Sequence, residues 1–136
     1  MRVKCISTVI KNPSHSLLES GWWHAEEYLT IGKEYDVYAV YKSYYYDIDA
    51  YLLCDDLYNG INYYWPLYIP TCFFVITDEK KPSFWKNFLD NPNYEGPDEL
   101  IPEKYEALVN GDLEALASFH IIQELLNCCN KSSNGK

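Results

Sequence analysis

The feature that most constrains the fold is a pair of neighbouring segments in which apolar and polar side chains alternate. The first reads "EYDVYAVY" (34–41) and the second reads "DIDAYLLC" (47–54). Successive side chains of a β-strand point to opposite faces of a sheet, so this period of two predicts two strands joined as an antiparallel hairpin. The residues expected on the buried face are Tyr35, Val37, Ala39, Tyr41, Ile48, Ala50, Leu52 and Cys54.

Three further segments have the composition of strands: "MRVKCI" (1–6), "INYYWPLYIP" (61–70) and "CFFVITD" (72–78). Together with the hairpin they give about five strands, a usual number for a small sheet or barrel. We therefore expect an α+β protein in which residues 2–78 form a strongly bent antiparallel five-stranded sheet or a small barrel.

The composition changes after Asp78. Prolines, asparagines and aspartates predict an extended segment that leads into C-terminal helices, together covering residues 79–127. Within the helical region, Asn110 and Gly111 are typical of a helix end and Asp112 of a helix start, so we expect two helices packed over one face or opening of the sheet. A polar, flexible tail is expected for residues 128–136, and the whole chain of 136 residues is expected to form one domain. The expected core includes Val37, Ala39, Ile48, Leu52, Val75, Leu116 and Phe119.

The charge balance limits the choice of partner. The chain has 20 acidic and 11 basic residues and a formal net charge of −9. Nucleic acids and anionic membranes attract basic surfaces, so both are disfavoured and a basic protein is favoured. The sequence has no apolar run of signal-peptide or membrane-span length, so a cytoplasmic protein is expected. No cofactor is expected, and no cysteine or histidine spacing indicates a metal site.

The segment "YKSYYYDIDAY" (41–51) concentrates five tyrosines and two aspartates in eleven positions. Three consecutive tyrosines cannot all point inward when side chains alternate, so at least one ring is expected in solvent beside acidic groups. Such a surface could simply be a hairpin end, but rigid aromatic rings beside carboxylates favour binding to a basic protein. The residues expected to bind the partner are Trp22, Asp36, Tyr44, Tyr45, Tyr46, Asp47, Asp49, Asp55 and Asp56.

Catalysis is not expected, and no catalytic residue is predicted. His15, His24 and His120 lie in different sequence contexts, and no nucleophile, phosphate-binding or metalloprotease motif accompanies them. The combination closest to a catalytic site is "GWWHAEE" (21–27), in which His24 could act with Glu26 or Glu27. A small hydrolase that uses these residues is therefore kept as an alternative, to be tested by the presence of a pocket that joins them.

The segments "VKCI", "LTIGKEYDVYAV", "YLLCDD" and "YWPLYIPTCFFVITDE" resemble those of small bacterial and phage-associated proteins with a five-stranded Src-homology-3-like barrel. This resemblance covers residues 2–78 and implies a fold only. The acidity, small size and helical extension are similar in style to immunity proteins of bacterial toxin systems, including contact-dependent inhibition. That likeness implies an inhibitor that neutralises a cognate toxin domain. The sign of the charge favours a basic, nuclease-type toxin domain that is occluded by binding, and a monomer is favoured slightly over an oligomer. A regulatory Src-homology-3-like binding module of phage or host is the alternative.

Overall fold

The computed structural model describes residues 1–56 and 66–134, with side chains for all of these except Tyr45 and residues 127–134. The described part is an α+β fold with two antiparallel sheets and C-terminal helices. Its strands are β1 (Arg2–Cys5), β2 (Glu34–Asp36), β3 (Ala39–Tyr45), β4 (Ile48–Leu53), β5 (Leu67–Pro70), β6 (Phe74–Asp78), β7 (Lys86–Phe88) and β8 (Asn91–Gly96). Its helices are α1 (His15–Ser20), α2 (Pro102–Val109) and α3 (Leu113–Asn134), with 3-10 helices at Thr71–Phe73 and Asp98–Leu100.

The strands form a three-stranded sheet of order β2-β1-β6 and a five-stranded sheet of order β5-β4-β3-β8-β7. The predicted hairpin is present, with Ala39 opposite Leu52 and Tyr41 opposite Ala50. Only Val37 and Tyr38 separate β2 from β3, so the chain passes directly from the smaller sheet into the larger one.

Strand β4 is buried on both faces. Ala50 and Leu52 belong to an apolar cluster that includes Phe119 of helix α3. Tyr51 and Leu53 belong to a second cluster that includes Val3 of the smaller sheet. The alternation in the sequence predicts one buried face for this strand, with Tyr51 and Leu53 on the outward face. That prediction is wrong, because the larger sheet is covered by helices on one face and by the smaller sheet on the other.

Most of the expected core is confirmed. The side chains of Val37, Ala39, Leu52 and Phe119 are fully buried. Ile48 and Leu116 are half-buried at the edge of the core. Val75 is 44% exposed and the prediction for it is wrong, because it lies on edge strand β6, where its neighbour Ile76 is exposed as well.

The predicted break between two helices is confirmed. Helix α2 ends before Asn110, and Gly111 has a φ of +87°, which a residue without a Cβ adopts readily. Asp112 starts helix α3 by accepting a hydrogen bond from the backbone N–H of Ala115 at 2.9 Å. Helix α3 continues to Asn134, so residues 128–134 extend a helix where a tail was predicted.

A second hairpin lies beyond Asp78, in the segment that was expected to be extended and without strands. Strand β8 pairs with β3 through Val40 opposite Glu95 and Tyr41 opposite Tyr94, and β7 pairs with β8 at the sheet edge. Because β8 runs antiparallel to β3, the β7–β8 turn lies at the same end of the sheet as the β3–β4 turn.

Candidate functional site: the tip of the hairpin between strands 3 and 4

The tip of the β3–β4 hairpin (residues 43–49) has an unusual backbone. Tyr46 and Asp47 form its two-residue turn, with Tyr45 paired to Ile48, and both have positive φ angles, 54° and 55°. Glycine, asparagine and aspartate tolerate this conformation, so Asp47 suits the turn, whereas Tyr46 loses about 1–3 kcal/mol in it. Ser43 also has a positive φ, 51°, where the pairing with β4 shifts register. The strands hold the tip in this shape against local preference.

Asp49 stabilises the irregular strand beside the turn. Its Oδ1 atom accepts a hydrogen bond from the backbone N–H of Ser43 at 3.0 Å. The Asp49 side chain remains exposed, as does that of Asp47. The tip therefore presents two carboxylates, of which the one on Asp49 also has a structural role.

Tyr44 is held by other tyrosines and is still 41% exposed. Its ring stacks on Tyr68 with centroids 4.2 Å apart and planes inclined by 25°, and it meets Tyr41 edge-on at 5.2 Å. Burial, and to a lesser extent Tyr41, raises the pKa of the Tyr44 hydroxyl, so the ring stays neutral. Tyr44 is a pre-ordered aromatic surface, and Tyr46 beside it is 40% exposed. The Tyr45 side chain lies outside the described part of the structure.

Trp22 lies close to the tip, and its side chain is half-buried. It packs against the core between the sheets and contacts Tyr28, with ring centroids 5.2 Å apart. Trp22 and Tyr44 line the same small cavity, together with Ile48 and Pro70. The structure therefore places Trp22 beside Tyr44 of the tip.

The remaining predicted aspartates lie elsewhere. Asp55 is fully buried, and its assignment to an exposed binding surface is wrong, because it continues the buried end of β4, where Leu52 and Leu53 are fully buried too. Asp36 on β2 pairs with Arg2, whose Nε atom lies 3.1 Å from Oδ1. Asp56 accepts hydrogen bonds from Lys33 Nζ at 2.6 Å and from the Tyr35 hydroxyl at 3.0 Å. These carboxylates serve internal contacts of the fold.

The contacts of Asp56 predict a dependence of stability on pH. Partial burial raises the pKa of its carboxyl, but hydrogen bonds from Lys33, Thr30 and Tyr35 outweigh burial and hold the pKa below its ordinary value. A lowered folded-state pKa stabilises the fold above the unfolded pKa, and this stabilisation is lost as the pH falls through the folded pKa. The loss is therefore expected below about pH 4.

Asp56→Asn should reduce the free energy of unfolding at pH 7 by about 1 kcal/mol, since the network is partly solvated. It should also flatten the decline in stability between about pH 4 and pH 2. Urea unfolding at several pH values measures both effects, with Asp90→Asn, an exposed aspartate in the β7–β8 turn, as control. Equal pH profiles for Asp56→Asn and the wild type would contradict this expectation.

The residues of the hydrolase alternative line an open depression of about 330 Å³, together with Trp22 and Tyr28. His24 Nδ1 lies 2.8 Å from Glu26 Oε2, and both side chains are exposed. The backbone N–H of Glu26, followed by its hydrogen bond with His24, lowers the pKa of this carboxyl. The nearby Ser20 hydroxyl donates to the Leu17 carbonyl at 2.9 Å, so it is occupied at the end of helix α1. The pocket exists, and in the part of the chain that the structure describes His24 pairs with the Glu26 carboxylate instead of a hydroxyl or thiol group.

Comparisons of the chain with protein-family models, curated proteins and solved structures found no match. Among residues 1–56 and 66–134, no helix is long and apolar enough to cross a membrane. Within the residues whose side chains are described, 1–44, 46–56 and 66–126, no three His, Cys, Asp or Glu side chains form a group that could hold a metal ion.

Three tyrosines that pack beside Tyr44 were not predicted as part of the site. They are Tyr41, which was expected in the core, Tyr68 and Tyr105. Tyr68 meets Tyr105 with ring centroids 5.1 Å apart and Tyr41 at 6.0 Å. The excess of tyrosine in the composition was a signal for such a cluster. Their positions depend on contacts between β3, β5 and α2, which no local pattern specifies.

Proposed function

We propose that this chain is an acidic protein-binding inhibitor that uses the tip of the β3–β4 hairpin to dock a basic protein. The observation that carries the proposal is the exposure of Tyr44 and Tyr46 beside Asp47 and Asp49 on a backbone held in a strained shape. Aromatic rings with few rotatable bonds lose little entropy on binding, and strained non-glycine residues concentrate at functional sites. The net charge of −9 favours a partner of opposite sign.

The biological role that fits these properties is that of an immunity protein. Nuclease-type toxins need basic substrate grooves to bind phosphates, and an acidic inhibitor can occupy such a groove. Electrostatic attraction can raise association rates by roughly 10 to 10³ at low ionic strength, which suits rapid capture of a toxin. The protein would inhibit the toxin by steric and electrostatic occlusion of its substrate groove, without catalysing a reaction.

We also propose that β1, the β2–β3 stretch, β4, β5 and β6 form a partly open Src-homology-3-like barrel. The direct passage from β2 to β3 supports this proposal, as does the 3-10 helix Thr71–Phe73 that connects β5 with β6 across the two sheets. The β7–β8 hairpin and the helices would then be additions to the barrel. An experimental structure in which the two sheets diverge without a shared bent strand would contradict it.

The first test is to identify the partner. The tagged protein would be used to capture binding proteins from its native host, and the candidate toxin domain would be expressed with and without it. The proposal expects a basic domain whose toxicity is relieved by co-expression. Capture of a host regulatory protein without any protection would favour the regulatory-module alternative instead.

Reversal of one charge tests the electrostatic part of the proposal. Asp47→Lys should slow association with the basic partner by about two- to tenfold at low salt and flatten its salt dependence, because the lost attraction acts during encounter. Asp47 is preferred to Asp49, whose carboxylate also holds the Ser43 backbone.

Glu124→Lys is the matched control for Asp47→Lys. It makes the same change in net charge on an exposed part of helix α3, next to Gln123, which contacts Cys54 at the opposite end of the larger sheet. Stopped-flow measurements at several salt concentrations should show a smaller effect for this variant. Equal effects of the two variants would contradict docking by the tip.

The hydrolase alternative retains one supporting observation, the exposed His24–Glu26 pair in a depression. A panel of ester, peptide and glycoside substrates tests it directly. Turnover that His24→Ala abolishes would establish an enzyme, whereas turnover that persists in the variant would point to a contaminant.

A further inference from the structure

A cavity of about 300 Å³ lies between the β3–β4 hairpin, strand β5 and helix α2. The residues that define its chemistry are Tyr41, Tyr44, Tyr68, Pro102, Tyr105 and Glu106. The cavity adjoins the exposed tip through Tyr44, which belongs to both. It is therefore placed to receive a side chain from a partner that docks on the tip.

Four tyrosine rings surround this cavity in different orientations. Tyr44 stacks on Tyr68 at 4.2 Å, while Tyr105 meets Tyr68 at 5.1 Å with planes inclined by 75°. Tyr41 is almost perpendicular to Tyr68, at 89° and 6.0 Å. The face of an aromatic ring carries partial negative charge and attracts cations, most strongly where water is excluded.

Two polar groups that line the cavity also favour a cation with hydrogen-bond donors. Glu106 on helix α2 presents an exposed carboxylate. Tyr68 is only 5% exposed, and its hydroxyl has no hydrogen-bond partner among the residues whose side chains are described, 1–44, 46–56 and 66–126. Tyr105, in contrast, donates its hydroxyl hydrogen to the Pro66 carbonyl at 2.9 Å. A buried phenol without a partner is unfavourable unless a ligand supplies one.

We infer that this cavity is a receptor for an arginine side chain of the basic partner. A guanidinium group is planar, stacks on aromatic rings and carries five N–H donors, so it offers a stacking surface to the rings and donors to the two polar groups of the lining, Glu106 and the Tyr68 hydroxyl. An anion would be repelled by the carboxylate and the ring faces, and an apolar group would leave the Tyr68 hydroxyl without a partner. The identity of the partner rests on the proposed function, but the ligand preference follows from the lining of the cavity.

The test uses small ligands, so it does not depend on the partner. Titration of the full chain with N-acetyl-arginine amide, followed by NMR of backbone amides, should give saturable shifts in helix α2 and the hairpin tip with a dissociation constant of roughly millimolar order. The neutral isostere N-acetyl-citrulline amide should bind at least about tenfold more weakly. N-acetyl-lysine amide should fall between them, since its ammonium group cannot stack as a plane.

Glu106→Gln should weaken arginine binding by about five- to tenfold, because it removes the charged acceptor and keeps the shape of the side chain. Glu103→Gln is the matched control on the same helix, since Glu103 is exposed and is not part of the lining. Equal binding of arginine and citrulline, or equal effects of the two variants, would overturn the inference.

The same experiments separate failure of this inference from failure of the proposed function. If the toxin domain binds tightly and the arginine ligand does not, the inference is overturned and the docking proposal stands. If the arginine ligand binds with the expected preferences and no basic partner is recovered, the inference stands and the docking proposal loses its support.

Discussion

Replacement of Phe119 by alanine should reduce the free energy of unfolding by about 3–5 kcal/mol, the usual cost of deleting a buried aromatic ring. Phe119 has no exposed surface, and its ring lies 5.3 Å from that of Tyr38. It belongs to the cluster that joins helix α3 to the larger sheet through Leu52. The total stability of a domain is only about 5–15 kcal/mol, so this variant should be severely weakened.

Ile121→Ala is the matched control for Phe119→Ala. Ile121 lies two positions further along helix α3 and is 59% exposed, so its loss should change stability by no more than about 0.5 kcal/mol. Urea or guanidinium unfolding followed by tyrosine and tryptophan fluorescence gives both values. A similar small loss for the two variants would mean that helix α3 does not cover the sheet.

The sequence predicted the secondary structure correctly where the local pattern of residues is compatible with only one kind of element. The alternation over residues 34–54 identified the β3–β4 hairpin, and the side chain of Asp112 together with Gly111 marked the junction of two helices. Helix α1 was missed, although Ser14 caps it by accepting a hydrogen bond from the N–H of Leu17. Its six residues are too few to show a helical period of apolar side chains. The asparagine, proline and serine residues just before it are typical of a loop.

The tertiary arrangement was less predictable, because burial depends on what covers each face. Tyr51 and Leu53 alternate with Ala50 and Leu52, so a sheet with one covered face would expose them, and only the packing of the smaller sheet buries them. The β7–β8 hairpin contains Pro92 and several turn formers, which argue against a strand. The pairing of β8 with β3 on one side and with β7 on the other overrides that local preference.

For the candidate site, the sequence showed where aromatic and acidic residues are concentrated, but not which of their side chains are in contact. Tyr44, Tyr46, Asp47 and Asp49 share one hairpin, and their common location followed from a turn of two residues. Asp55 is also an aspartate next to a strand of this hairpin, yet its side chain is fully buried. The contact between Tyr68 and Tyr105 joins positions 37 apart in the chain, which an alternating pattern cannot reveal.

Tyr44→Ala should produce the largest loss of partner binding of any single change at the tip. The ring is partly exposed and fixed by its stack on Tyr68, so a docked partner gains contact area at little cost in entropy. Removal of such an anchor costs about 2 kcal/mol or more, which corresponds to a roughly 30-fold increase in the dissociation constant. The net charge is unchanged, so association should be nearly unaffected and the loss should lie in faster dissociation.

Tyr44→Phe is the matched control, because it keeps the ring and its stack and removes only the hydroxyl. It should change the dissociation rate by no more than a few-fold, the net worth of one hydrogen bond. Surface plasmon resonance with the proposed basic partner would measure both rates for each variant, with circular dichroism to verify that Tyr44→Ala is folded. If folded Tyr44→Ala dissociates at nearly the wild-type rate, Tyr44 does not lie in the interface, and a docking surface centred on the tip is excluded.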